Sequence, residues 1–262
     1  KHMLLVGATS LLLLAWIAKL ILQRTVRLTI TPFTLPLFIV TLVTFASAVI
    51  QAPNRVEALM GRPTTMLALL LLSFIATTNL NHLNHLRRLL ISLTASAVVL
   101  SALAVYQFFG LPYVTFTPAG SLFTLITFLA PILGISVYSA LKSTSAAKAF
   151  WLVASAVIIL DGSFTVYQLL PGKPASPRLL PYSTSWAIAV DSFKTLRTAS
   201  LGVGPDNFLA AFSQNRPASF NLTPNWNLRF TTGSNEPLTL LATTGLLGLL
   251  SWLFILFTLI KL

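Results

Sequence analysis

The chain has no cysteine, which excludes disulfide cross-links and thiolate metal ligands. Acidic residues number five and histidines three in 262 residues, while Lys and Arg number 17. Charged residues make up 8% of the chain and apolar residues 55%, a balance that excludes an ordinary water-soluble globule. Period-two alternation of apolar and polar residues is also missing, which argues against a transmembrane barrel. What remains is apolar helix.

Seven runs have the length of about 20 residues that a bilayer core demands. They are 4–22, 33–51, 64–80, 87–110, 121–141, 149–170 and 237–260. The predicted fold is therefore an all-α polytopic membrane protein. Helices 1–6 occupy 1–170, a long loop 171–236, and helix 7 237–262. The chain opens Lys-His-Met and stops at Leu262 directly after a span, so a piece of a longer protein is expected. The first span lacks a small-residue cleavage site and does not read as a signal peptide.

A net charge of +12 invites comparison with nucleic-acid binders, but the charges are placed otherwise. Loops one, three and five carry Arg24 and Arg27, Arg87 and Arg88, Lys142 and Lys148, with no acid among them. Loop two sets Arg55 and Arg62 against Glu57, and loop four (111–120) has no charge. This alternation is the positive-inside pattern and predicts loops one, three and five in the cytoplasm. The basicity then reflects insertion and contact with anionic membrane lipids, not nucleic acid. Residues 171–236 are predicted outside, and a loop of that length crosses regardless of its charge.

That 66-residue loop is too long for a passive connector. It carries Trp186, Trp226, Phe193, Phe208, Phe212, Phe220 and Phe230, enough aromatic surface to fold. It opens with PGKPASPRLLP, whose prolines favour an extended lead-in. In YSTSWAIAVDSFKTLRTAS, Ser183 or Thr184 is a predicted helix cap. Trp186, Val190, Phe193 and Leu196 or Arg197 then share a face, with Lys194 and Arg197 in the last turn. The helix is expected at the membrane–water boundary or packed on its own loop. GVGPDNF follows: Gly202 ends the helix, Gly204-Pro205 turns, and Asp206 or Asn207 caps a second helix, FLAAF. A glycine-rich turn before a helix exposes N–H groups that favour phosphate. No third glycine or strand–helix–strand context makes it a dinucleotide fingerprint.

The SWAIAVDSFK helix, the G-x-G-x-x-N-F turn and the junction GSNEPLTLLATTGLLGLLSWL together resemble the O-antigen ligase and O-antigen polymerase family of bacterial envelope glycosyltransferases. GLLG at Gly245–Gly248 matches that family's G-(L/I)-x-G, and TFTPAGSLFTLITFL (115–129) is a looser match. The likeness spans roughly residues 115–255. It implies a GT-C-like fold in the bacterial inner membrane and transfer of a glycan from an undecaprenyl-diphosphate carrier to a hydroxyl acceptor, itself lipid or polysaccharide. It implies no metal, cofactor or nucleotide sugar. Such a reaction needs cations on the diphosphate leaving group and an acceptor for the hydroxyl proton. The family's junction histidine falls on Ser234 and its helix arginine on Tyr182, so two functional side chains are replaced. Arg216, Arg229 and Glu236 become the expected catalytic residues. Arg178, Gly202, Gly204, Asn207, Ser234, Asn235 and Asp161 become the expected substrate-binding positions.

Asp161 lies within the sixth span, where a carboxylate costs roughly 2.5–3.5 kcal/mol on insertion scales and marks a functional position. Gly162 and Ser163 beside it predict a helix break, with the carboxylate at a polar cavity or bonded to a neighbouring helix. His82 and His85 share a helix face but have no further ligand nearby, so interfacial anchoring is expected. Gly245 and Gly248 read as close helix packing. Two alternatives to the transferase stay open: a catalytically silent lipid- or glycan-binding membrane protein, and a transporter.

Overall fold

The computed structural model describes residues 2–24, 30–80, 82–110, 116–117, 120–173, 175–223 and 225–262. Its helices are α1 (His2–Gln23), α2 (Thr34–Gln51), α3 (Arg55–Met60), α4 (Arg62–Asn79), α5 (Leu83–Gly110), α6 (Leu122–Lys142) and α7 (Ser145–Leu169). After these come α8 (Tyr182–Asp191), α9 (Leu196–Leu201), α10 (Phe208–Asn215), a 3₁₀ turn Ala218–Leu222 and α11 (Glu236–Lys261). Among the described residues, seven helices are long and apolar enough to cross a membrane, in agreement with the seven spans read from the sequence. Arg27 and residues 111–115, 118 and 119, including part of the looser family match, lie outside the described residues.

The chain divides into two compact units, 1–79 with 179–262, and 80–178. In the first, α2 packs against α4 and α11, and α1 against α4. The buried face of α2 carries Thr41, Thr44, Ser47 and Ala48. Residues of that size let backbones approach, and in lipid this close packing replaces the missing hydrophobic drive between helices. Thr41 and Thr44 return their hydroxyls to their own helix, at Leu37 O and Val40 O. Lys19 of α1 reaches Asn79 at the far end of α4, 2.6 Å away.

Residues 179–235 form a cap on this unit with its own aromatic core. Phe208, Phe212 and Phe220 are fully buried with Leu180 and Ile188, and Phe230 closes the cluster. Phe212 meets Phe220 and Phe230 edge-on at 5.5 and 5.8 Å. Each such pair adds about 0.5–1.5 kcal/mol beyond area burial, so the loop folds as its aromatic content predicts.

The single helix expected between a Ser183 or Thr184 cap and Gly202 is in fact two. α8 begins at Tyr182 after Pro181, without a side-chain cap, so neither Ser183 nor Thr184 caps it. It stops at Asp191, and Thr195 starts α9 through a reciprocal capping box with Thr198. Thr184, Ser185, Ile188 and Ala189 form the buried face of α8, while Trp186 and Val190 remain half exposed. Trp186 and Val190 of the apolar stripe read from the sequence thus lie on the outer face, whereas Phe193 packs against Ala189, Leu238 and Leu241.

In the second unit α7 packs against α5 and α6. Ala97, Ala104, Leu125, Leu129, Ile132 and Ile158 form its core. Ser136 bridges α6 to α7, meeting Ser155 Oγ at 2.7 Å and donating to Trp151 O at 3.0 Å. Gly162 and Ser163 do not break α7, which runs unbroken through Asp161. Ser163 returns its hydroxyl to Ile159 O, so the helix needs no outside partner there.

Candidate functional site at the cap junction

The cap meets the membrane helices of its unit at GVGPDNF. Gly202 ends α9 at φ +67°, as expected. The N–H groups that follow are not open to a phosphate. Val203 N donates to Ala242 O at 3.1 Å and Gly204 N to Thr243 O at 2.9 Å. Those carbonyls need outside donors because Gly245 leaves helical geometry (φ +69°, ψ −165°) and interrupts the ladder of α11. Ser47 of α2 adds bonds to Leu201 O at 2.6 Å and to Thr243 O at 3.3 Å. A broken helix is tolerated in a membrane protein where neighbouring groups re-satisfy its backbone, and here the turn does so.

The glycines follow from the closeness of this joint. A Cβ on Gly202 would overlap the Thr243 backbone, and one on Gly245 the Ser200 carbonyl. Gly204, at φ +102°, would bring a Cβ to 2.8 Å from Ala52. A Cβ on Gly248 would overlap the Thr244 side chain, so both glycines of GLLG have a steric cause. Close packing was legible, but the break itself was not.

Asp206 is not a cap for α10. It adopts φ +60°, a left-handed conformation that Asp tolerates better than most residues. Its Oδ2 accepts from Arg62 N at 2.6 Å, at the start of α4. Asn207 occupies the cap position, but its side chain donates to Pro205 O at 3.1 Å instead. Arg62 then completes a three-residue cluster: its Nη1 lies 2.9 Å from Glu236 Oε1 and its Nε 3.9 Å from Asp206 Oδ1. Arg62 is the residue that sequence reasoning missed. Its partners lie far along the chain, and only its place in loop two beside the predicted long loop hinted at the contact.

Glu236 begins α11, where a carboxylate complements the helix dipole. Asn235 caps that helix, its Oδ1 accepting from Leu238 N at 3.0 Å. Ser234 N donates to Ser185 Oγ at 3.1 Å, and Gly233 N to Thr239 Oγ1 at 3.0 Å. Ser234 Oγ is buried without a partner. Ser234, Asn235 and Glu236 therefore sit on a rigid turn pinned from α8 and from within α11.

The arginines named from the sequence differ in their surroundings. Arg216 is half buried, donating to Trp226 O at 3.3 Å with its guanidinium 5.8 Å from the Phe212 ring. Arg229 and Arg178 are exposed, and both ion pairs among the described residues belong to Arg62. Asp161 belongs to the other unit. It is almost fully buried and accepts from Thr165 Oγ1 at 3.2 Å, with Ser101 of α5 against it and Oδ2 unpartnered. Its hydrogen bond stays within α7, and the Ser101 hydroxyl of α5 beside it is itself unpartnered. No cluster of three metal-ligating side chains occurs among the described residues. No protein-family model, curated protein or solved structure matches the chain.

Proposed function

We propose that the chain is an O-antigen ligase-like transferase of GT-C type, acting at the outer face of a bacterial inner membrane. It moves a glycan from undecaprenyl diphosphate to a hydroxyl of a lipid or polysaccharide acceptor. One observation carries the reading: Glu236, at the junction following the G-x-G-x-x-N-F turn, is held by Arg62 at 2.9 Å. The guanidinium takes Oε1 and leaves Oε2 for an incoming hydroxyl. In the reaction the acceptor oxygen bonds to the anomeric carbon, its proton passes to the Glu236 carboxylate, and the carrier leaves as diphosphate. Arg229, exposed on the cap, supplies positive charge that the leaving group requires. Arg216 keeps the cap's aromatic core in place.

Ser234 favours one competing reading, because a serine stands where the family has its histidine. On that reading the chain binds the carrier and does not turn it over. Incubating the full chain with undecaprenyl-diphosphate glycan and acceptor separates the two. Transfer that falls with Arg229→Ala supports the transferase, and carrier bound without product supports the silent binder. The break in α11 does not favour a transporter, since its freed Ala242 and Thr243 carbonyls already accept from Val203 and Gly204.

A further inference from the structure

A cavity of about 250 Å³ opens in the second unit, where the start of α5, the end of α6 and the start of α7 meet. Arg87 and Lys142 line it from two different helices. Neither takes part in an ion pair, because both ion pairs among the described residues belong to Arg62. Unit two has one acid, Asp161, and it lies deep in α7 rather than at this end. The two cations therefore face the cavity uncompensated.

The remaining lining is part polar and part apolar. Tyr138, Ser139 and Ser143 bring hydroxyls to the same cavity as the two cations. Leu86, Leu90 and the buried ring of Trp151 form an apolar wall. A site with cations and hydroxyls beside an apolar slot, at the end of a membrane helix bundle, matches an amphiphile with an anionic head. Basic pockets between membrane helices hold lipid headgroups by this combination of charge and fit. A free inorganic anion would gain nothing from the leucines and Trp151.

We propose that this cavity binds the phosphate headgroup of an anionic membrane phospholipid, with Arg87 and Lys142 on the phosphate and an acyl chain along Leu86, Leu90 and Trp151. The site lies in a different unit from the cap junction, so it stands or falls independently of the transferase reading.

The test is native mass spectrometry of the delipidated full chain titrated with phosphatidylglycerol or phosphatidylcholine. Phosphatidylglycerol is expected to bind one per chain, and phosphatidylcholine at least tenfold more weakly. Removing both cations in Arg87→Gln/Lys142→Gln is expected to weaken phosphatidylglycerol about 30-fold, from about 1 kcal/mol per basic residue. Arg88 carries the same charge on the next residue but does not line the cavity, so Arg88→Gln is expected to leave binding unchanged. Ser139→Leu fills the cavity without altering any charge and is expected to weaken binding as well, which guards against a charge change that disturbs insertion. Equal binding of the two lipids, or an Arg88→Gln loss as large as that of Arg87→Gln, overturns the proposal. Displacement of the lipid by millimolar inorganic phosphate overturns the lipid assignment.

Discussion

Gly204 donates its backbone N–H to the carbonyl of Thr243 at 2.9 Å, joining a glycine-rich turn of the cap to the backbone of a membrane-length helix. The bond exists because Gly245 breaks that helix two residues further on and frees its carbonyls. Turn and break form one device. Neither makes sense alone, since an unbroken α11 would offer no acceptors and an unpaired break would leave buried carbonyls unsatisfied.

Gly245→Ala is expected to destabilise the protein by at least about 2 kcal/mol, because its φ of +69° with ψ −165° belongs to a region that is essentially glycine-only. The added Cβ would also overlap the Ser200 carbonyl. Gly134→Ala, within α6 and with no neighbour within 4 Å of the added Cβ, is expected to be neutral or slightly stabilising. Thermal midpoints of the two variants in detergent check the contrast. Equal midpoints would mean that the break in α11 is not required.

Gly248→Ala tests the second glycine of GLLG. The added methyl would collide with both Oγ1 and Cβ of Thr244, a contact within one helix that removing the whole Thr244 side chain relieves. Gly248→Ala alone is expected to cost about 1–3 kcal/mol, the range for overpacking. In Thr244→Gly/Gly248→Ala most of that cost is expected to disappear relative to Thr244→Gly, which itself loses the Thr244 hydroxyl bond to Leu240 O. A double-mutant cycle showing simple additivity would contradict the contact.

The seven spans were legible because a run of about 20 apolar residues is a strong and local signal. Their described ends fall within two residues of those expected, apart from α3 and the earlier starts of α5 at Leu83 and α7 at Ser145. The cap's aromatic core was legible for the same reason, as Phe208, Phe212, Phe220 and Phe230 announce burial by composition. What escaped depends on contacts distant in sequence. The break at Gly245 is set by Ser200, Gly202 and Gly204, some forty residues earlier, and the role of Arg62 by Asp206 and Glu236. The division of α8 from α9 was local and readable, since Thr195 and Thr198 form a capping box, but the apolar stripe running through Phe193 concealed it.

Asp206→Asn is expected to be tolerated, with a change below about 0.5 kcal/mol. Asn accepts from Arg62 N through its side-chain oxygen and adopts positive φ readily. Asp206→Ala removes the acceptor while keeping the unfavourable φ of +60°, and is expected to cost about 1–2 kcal/mol. Protease susceptibility of the chain between Leu201 and Phe208 reads the difference directly. If Asp206→Asn loosens the segment as much as Asp206→Ala, the carboxylate's charge matters more than its bond.

Glu236→Gln separates a structural role from a chemical one. The ion pair with Arg62 is half open to water on the Glu236 side, where such a pair contributes about 0–1 kcal/mol. Gln keeps an acceptor for the guanidinium and leaves the Asn235 cap of α11 untouched. The thermal midpoint is therefore expected to move by no more than a few degrees. If Glu236 takes the acceptor's proton, transfer from undecaprenyl-diphosphate glycan falls about 10²–10⁴-fold, since an amide cannot act as a base. Arg62→Gln is expected to lower transfer less, because it removes the group that orients Glu236 and leaves the carboxylate itself. A Glu236→Gln protein that retains full transfer would rule out the carboxylate as base and leave Arg62 and Glu236 as a clasp between two helices.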